Sequence, residues 1–285
     1  MSVFKKAILC LFISLNLMPL KAQMVEIGLM GGMSNYIGDL SDESLVLGSS
    51  GASVGLFGRY NISNFVAVKG FAGYGQLSAD DKNSSVAESK LRNLNFFSDV
   101  FEFSVHCEYN ILENDLRNIN TRPFVLYAFG GIGVFNYNPK TSLNDTVYEL
   151  QPLATEGQGS TVYNDQKRYS LTELAFPFGV GIRQRIGNNF TLGAEIGIRY
   201  TSTNYLDDVG GMYALNSVVE GASGNVARRL ADRSWETDPT IPQGYFQEGE
   251  LRSRKTTFEN DIYIMAGVTL SFIIRNKGQG CPIFY

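Results

Sequence analysis

Eight stretches of alternating apolar and polar residues run along this 285-residue chain, and the connections between them alternate between long and short. Period-two alternation belongs to strands whose two faces meet different surroundings. An even number of such strands, joined alternately by short turns and long loops, predicts an eight-stranded antiparallel transmembrane β-barrel. Its short turns lie on the periplasmic side and its long loops outside. The stretches fall near residues 24–34, 51–61, 65–77, 97–109, 123–135, 174–186, 190–201 and 261–272.

The fourth stretch gives the clearest pattern. Phe97, Phe101, Phe103, Val105, Cys107 and Tyr109 share one face, broken only by Asp99, against Ser98, Glu102, Ser104, His106 and Glu108. Aromatic density on the apolar face points to lipid. Tyr60, Phe65, Tyr109, Phe124, Phe190 and Phe272 mark the expected periplasmic interface, and Tyr74, Phe97 and Tyr200 the outer one. A soluble lipocalin-like barrel, with its apolar face inward, is the alternative. The fifth stretch is apolar on both faces, and there the period says least.

The start of the chain reads as a leader. Lys5 and Lys6 precede an apolar run over 7–20, and small Ala22 offers a cleavage site. The predicted organisation is a signal peptide at 1–22, an outer-membrane barrel at 24–275 and a periplasmic tail at 276–285. No downstream run approaches the length of an apolar helix that spans a bilayer. A net charge of −4 argues against a nucleic-acid partner. Beyond the leader, Cys107 and Cys281 are read as unpaired, although an oxidising periplasm permits a disulfide.

In a barrel, the polar faces turn Arg59, Lys69, Arg183, Arg185 and Arg199 inward, facing Glu26, Glu102, Glu108, Glu195 and Asp261. An eight-stranded lumen is only wide enough for side chains to fill. The expectation is an ion-paired plug, since a buried charge without a partner is severely destabilising; a narrow ion path is the alternative. His106, the one histidine, reads as a packed lumen residue, and no catalytic partner is evident from its spacing. No cofactor is expected. Asp207 and Asp208 in TNYLDDVGG look like a fragment of a calcium site without the EF-hand ligand spacing. A solvated acidic turn, or a pair anchored by Arg228 and Arg229, is expected instead. The glycines at 157–159 and 249 are read as turn chemistry. Leu215, Val218, Val219, Leu230 and Trp235 supply apolar surface with which the last long loop can fold over the barrel mouth.

Five segments together resemble a known family: GGMSNYIGDL, YELQPLATEGQG, PFGVGIR, EIGIRYTSTNYLDDVGGMY and DIYIMAGVTLSF. They are similar to the PorG-like outer-membrane β-barrels of the Bacteroidota type IX secretion system. The specific elements are Thr155, Glu156 and Gly157 in one loop and Tyr205, Leu206, Asp207 and Asp208 in another. The resemblance implies a non-catalytic component of protein secretion, set among outer-membrane lipids and contacting periplasmic ring proteins of the PorK–PorN type. It brings no catalytic residues. A stand-alone barrel for ligand binding or solute passage is the competing reading. The turn at 111–122 is the candidate inward-facing contact surface.

Overall fold

The structure is a computed structural model that describes residues 24–41, 50–114, 124–163, 165–238, 240–253 and 260–274. The leader at 1–22, the tail with Cys281 and most of the 111–122 turn lie outside the described residues. Eight long strands form the wall: β1 (Met24–Ile37), β2 (Ser50–Asn61), β3 (Val66–Asp80), β4 (Asn95–Asn110), β5 (Phe124–Tyr137), β8 (Thr172–Ile186), β9 (Phe190–Thr201) and β10 (Ile262–Ile274). Their order is β3-β2-β1-β10-β9-β8-β5-β4, and a β3–β4 pairing closes the ring. Every pairing is antiparallel, and β1 meets β10 along a register running from Val25–Ile274 to Ile37–Ile262. Closure leaves no strand edge unpaired, which a sheet in hydrocarbon requires. A short hairpin, β6 (Lys140–Leu143) and β7 (Thr146–Glu149), extends one long loop and touches the wall at Phe97–Lys140.

The two faces sort by chemistry. Outward positions expose Leu56 (60%), Phe103 (65%), Val105 (56%) and Val268 (57%). Inward positions bury Arg59, Lys69, Glu102, Glu108 and Arg199. This is the reverse of a lipocalin, so the soluble alternative falls and the fold is a transmembrane β-barrel. Asp99 lies on the outward face near the long-loop end, where its carboxylate accepts the Tyr74 hydroxyl. Cys107 is exposed on the same face. Phe190 and Phe272 pair edge-on near the short-turn end, with ring centroids 5.4 Å apart. Ile262 and Ile264 share the alternating face of Val268 and Leu270, which predicts lipid contact, yet they are buried at the long-loop end of β10.

Glycine makes room for the inward aromatics. A Cβ on Gly55 or Gly73 would come within 2.5 Å of the Phe71 ring, and one on Gly181 within 2.4 Å of Tyr127. These strands therefore trade side-chain packing for the volume that large rings occupy. The apolar core sits in the outer half of the lumen. There Phe96, Phe135, Tyr137 and Tyr263 join Leu206, Val209 and Leu230 from the long loops.

The last long loop, 202–261, contains a helical segment, α1 (Asn216–Ala231), kinked at Gly224, whose φ is +83°. An earlier loop carries the short helix α2 (Ala87–Arg92). Of the residues expected to cap the mouth, Val219 and Leu230 are buried, and Leu215 stays exposed.

Candidate functional site

The inward charges meet in the lumen. Glu108 is the hub: it accepts Arg59 Nε at 2.8 Å and Arg183 Nη1 at 2.7 Å, and it faces Lys69 Nζ at 3.5 Å. Arg59 also reaches Glu26 at 3.1 Å, and Lys69 reaches Glu195 at 2.8 Å. Three cations thus face three carboxylates. Ser271 and Asn61 donate to Glu26, and the Tyr127 hydroxyl donates to Glu195. Nearer the long loops, Arg199 pairs with Glu102 at 3.1 Å, and Tyr263 donates to the same carboxylate. Arg185 is buried among the inward residues. Glu108 Oε1, Arg183 Nε and Arg199 Nη2 make no hydrogen bond among the described residues, so it is the ion pairing that offsets the desolvation of these buried charges.

His106 lies between Phe71 and Phe129, with ring centroids 5.9 and 5.1 Å away. Ser104 Oγ donates to Glu102 Oε1 at 2.5 Å and contacts His106 Nε2 at 2.8 Å. These residue types also make hydrolase triads. Here all three groups are buried, and Ser104 Oγ lies within hydrogen-bond reach of both Glu102 and His106. The i, i+2, i+4 spacing of residues 102, 104 and 106 on one strand face was the sequence signal for this contact.

At the mouth, the two loops with distinctive motifs lock together. Thr155 Oγ1 and the Tyr169 hydroxyl donate to the two oxygens of Asp208, which sits in the left-handed region at φ +70°. Asp and Asn tolerate that conformation better than most residues. Arg252 Nη1 donates to Thr155 Oγ1, Glu156 Oε1 and the Asp208 carbonyl, at 2.9, 3.2 and 2.8 Å. Glu156 also accepts the Gly210 and Gly211 amides. Tyr205 stacks on Tyr169 at 4.9 Å, and Leu206 is fully buried in the core below. Gly157 turns at φ +76°, where a Cβ would strike the Tyr163 ring.

Asp207 and Asp208 are therefore not a solvated turn, and neither Arg228 nor Arg229 anchors them. Arg228 pairs with Glu220, and Arg229 lies over Trp235. The cation paired with Asp208 is Arg252, which tertiary packing brings from 44 residues away, while Asp207 accepts from Tyr36. Burial pushes the Asp208 carboxyl up to about 6, against the opposing pull of Arg252.

Asp261, counted above with the lumen charges, belongs to the mouth instead. Tyr36 donates to Asp207 Oδ2 at 2.6 Å and to Asp261 Oδ1 at 3.1 Å. Ligand atoms of Asp39, Asp207 and Asp261 lie within 4.8 Å of one another, so this is the described cluster best able to hold a cation. Burial, together with their carboxylate neighbours, raises Asp207 and Asp261 well above the usual aspartate range. Arg252 carried no distinguishing pattern in the sequence, and Asp39 stood out only as part of the segment GGMSNYIGDL.

Solved structures similar to the chain are outer-surface barrels. The N-terminal β-barrel domain of Pseudomonas aeruginosa OprF matches at 11% identity with a TM-score of 0.38, over 89% of this chain and all of that one. Ail, the attachment invasion locus protein of Yersinia pestis, matches at 8% and 0.37, over 89% and 98%. The outer membrane protein OprG of P. aeruginosa matches at 8% and 0.37, over 88% and 96%. No curated protein matches the chain. A family described as a domain of unknown function, DUF6089, matches residues 5–220, a range that takes in seven of the eight wall strands and ends in the first turn of α1; the chain belongs to that family.

Proposed function

We propose that this protein is a non-catalytic barrel of the outer membrane that acts through its surfaces, as a scaffold for type IX protein secretion. The carrying observation is the filled lumen. Arg59, Lys69, Arg183 and Arg199 are each engaged by carboxylates across the interior, and aromatic rings pack above them. A barrel filled in this way anchors and presents. Exposed apolar side chains around the wall suit a bilayer, and export follows from the leader at 1–22.

The identity of the partner rests on the resemblance of segments 31–40, 148–159, 177–183, 195–213 and 261–272 to PorG-like barrels. On that reading, periplasmic ring proteins of the PorK–PorN type dock at the short-turn end. Ile111 and Leu112 are exposed at the start of the longest of these turns, where Asn114 N–H donates to the Asn64 carbonyl of the neighbouring turn. The test is crosslinking in intact cells followed by purification. Recovery of ring proteins supports the scaffold, and replacing 111–122 with a minimal turn weakens that recovery while insertion stays normal. Absence of ring proteins, together with stepwise conductance in planar bilayers, favours the stand-alone barrel.

A further inference from the structure

A pocket of about 830 Å³ opens in the long-loop cap, between α2 and the segment 245–253. Its volume lies within the roughly 300–1,000 Å³ typical of small-molecule sites. One wall is held by a short antiparallel contact, in which Tyr213 N–H donates to the Glu250 carbonyl and Gly249 N–H to the Tyr213 carbonyl. That contact stacks Tyr213 face to face on Phe246, with centroids 4.6 Å apart and planes 4° apart. Tyr245 stands edge-on to Phe246 at 82°, so the two rings make an aromatic corner, and Tyr245 is 46% exposed.

The polar groups of the pocket narrow the choice of ligand. Tyr213 is 5% exposed, and its hydroxyl has no hydrogen-bond partner among the described residues. A buried hydroxyl without a partner costs free energy that an incoming acceptor recovers. Arg92 and Arg252 lie beside it, but their charges are already answered. Arg92 is bound to Asp81, and Arg252 to Glu156 and Asp208. With Glu88 and Glu250 exposed on the rim, an anion finds no unbalanced cation here. A cation finds Glu88 and Glu250 only at the exposed rim, because the described carboxylates of the interior, Asp81, Glu156 and Asp208, are already paired with Arg92 and Arg252. A neutral molecule with hydroxyls to give and accept, and a flat apolar C–H face, meets every feature.

We propose that this pocket binds a neutral saccharide. A sugar ring stacks its C–H face in the Tyr245–Phe246 corner, donates hydroxyls to Glu88 and Glu250, and accepts from the Tyr213 hydroxyl. The inference is independent of the secretion role, because the pocket lies at the opposite end of the barrel from the proposed ring contact.

The test uses the full mature chain in detergent micelles, titrated calorimetrically with maltose, cellobiose, lactose and their longer oligomers. A polysulfated and a polyamino oligosaccharide serve as charged probes. At least one neutral sugar is expected to bind, and Tyr245→Ala, at an exposed ring, weakens it about tenfold. Tyr213→Phe removes only the unpartnered hydroxyl and weakens it several-fold, with hydrogen exchange in the cap unchanged. The proposal is overturned if no neutral sugar binds at about 10 mM, a concentration weaker than ordinary small-molecule affinities. It is equally overturned if binding survives both substitutions, or if only the charged probes bind through these residues.

Discussion

Replacing Glu108 with glutamine tests whether the lumen is a mutually dependent charge lattice. Glu108 accepts from Arg59 and Arg183 and faces Lys69, all three of them buried. The variant leaves those cations opposite two carboxylates, Glu26 and Glu195, and turns an amide N–H₂ toward donors. Removing one partner of a buried ion pair costs about 3–5 kcal/mol, or roughly two to four orders of magnitude in the folding equilibrium. The structure also specifies the repair. Among the described charged residues, Arg183 pairs with Glu108 alone, so Glu108→Gln with Arg183→Met leaves Arg59–Glu26 and Lys69–Glu195 as two complete pairs. The double variant should recover most of that loss, because it removes an ion pair whole rather than stranding one partner, and leaves only Asn110 Oδ1 without the Arg183 donor. Urea unfolding of the barrel in lipid vesicles, followed by intrinsic fluorescence, measures both. A single variant as stable as the parent, or a double variant worse than the sum of its singles, would refute the lattice.

Three further outcomes follow from the structure. Leu56→Arg, on the outward face, should cost about 2–4 kcal/mol in bilayers if it lies near mid-depth, and an unchanged unfolding curve would contradict lipid contact there. Gly181→Val drives a side chain into the Tyr127 ring and should loosen the Tyr127–Glu195 hydrogen bond. The readout is a lower midpoint for Gly181→Val than for the control Val180→Ile, which adds a single methylene on the exposed outward face. The third concerns pH. Asp208 titrates at about 6 when folded, against 3.8 as its ordinary value, so the folded cap holds its proton more tightly than the unfolded chain does. Stability from this group is complete below 3.8 and is lost as pH rises to about 6. Asp207 and Asp261 shift in the same direction. Hydrogen exchange across 203–213, corrected for intrinsic rate, should therefore show more protection at pH 5 than at pH 7.5. Asp208→Asn should flatten that difference, and an opposite slope would overturn the assignment.

The wall was legible because lipid and lumen impose opposite demands on successive residues. Phe103 and Glu102 are neighbours in sequence, yet they face hydrocarbon and an arginine respectively. β5 was the weak point, since Tyr127, Phe129 and Phe135 fill the lumen with rings that look as apolar as the outward side chains. The cap was mostly illegible, because loop packing has no period. Asp207 and Asp208 read as a surface turn, as two adjacent acids ordinarily do. Their burial depends on Tyr36, Tyr169 and Arg252, which lie far away in the chain. Ile262 and Ile264 differ again: they share the alternation of Val268 and Leu270, yet both faces of β10 are buried at its long-loop end.

The hydroxyl of Tyr36 spans two carboxylates, and its position has a consequence for biogenesis. Tyr36 belongs to the first wall strand, Asp261 immediately precedes the final one, and Asp207 comes from the loop between β9 and β10. The knot that seats the lid is thus assembled from the two extremities of the cylinder. Insertion must bring the opening strand and the final strand side by side before the lid can settle, so a half-inserted chain carries an unfastened lid whatever the strength of its own internal contacts.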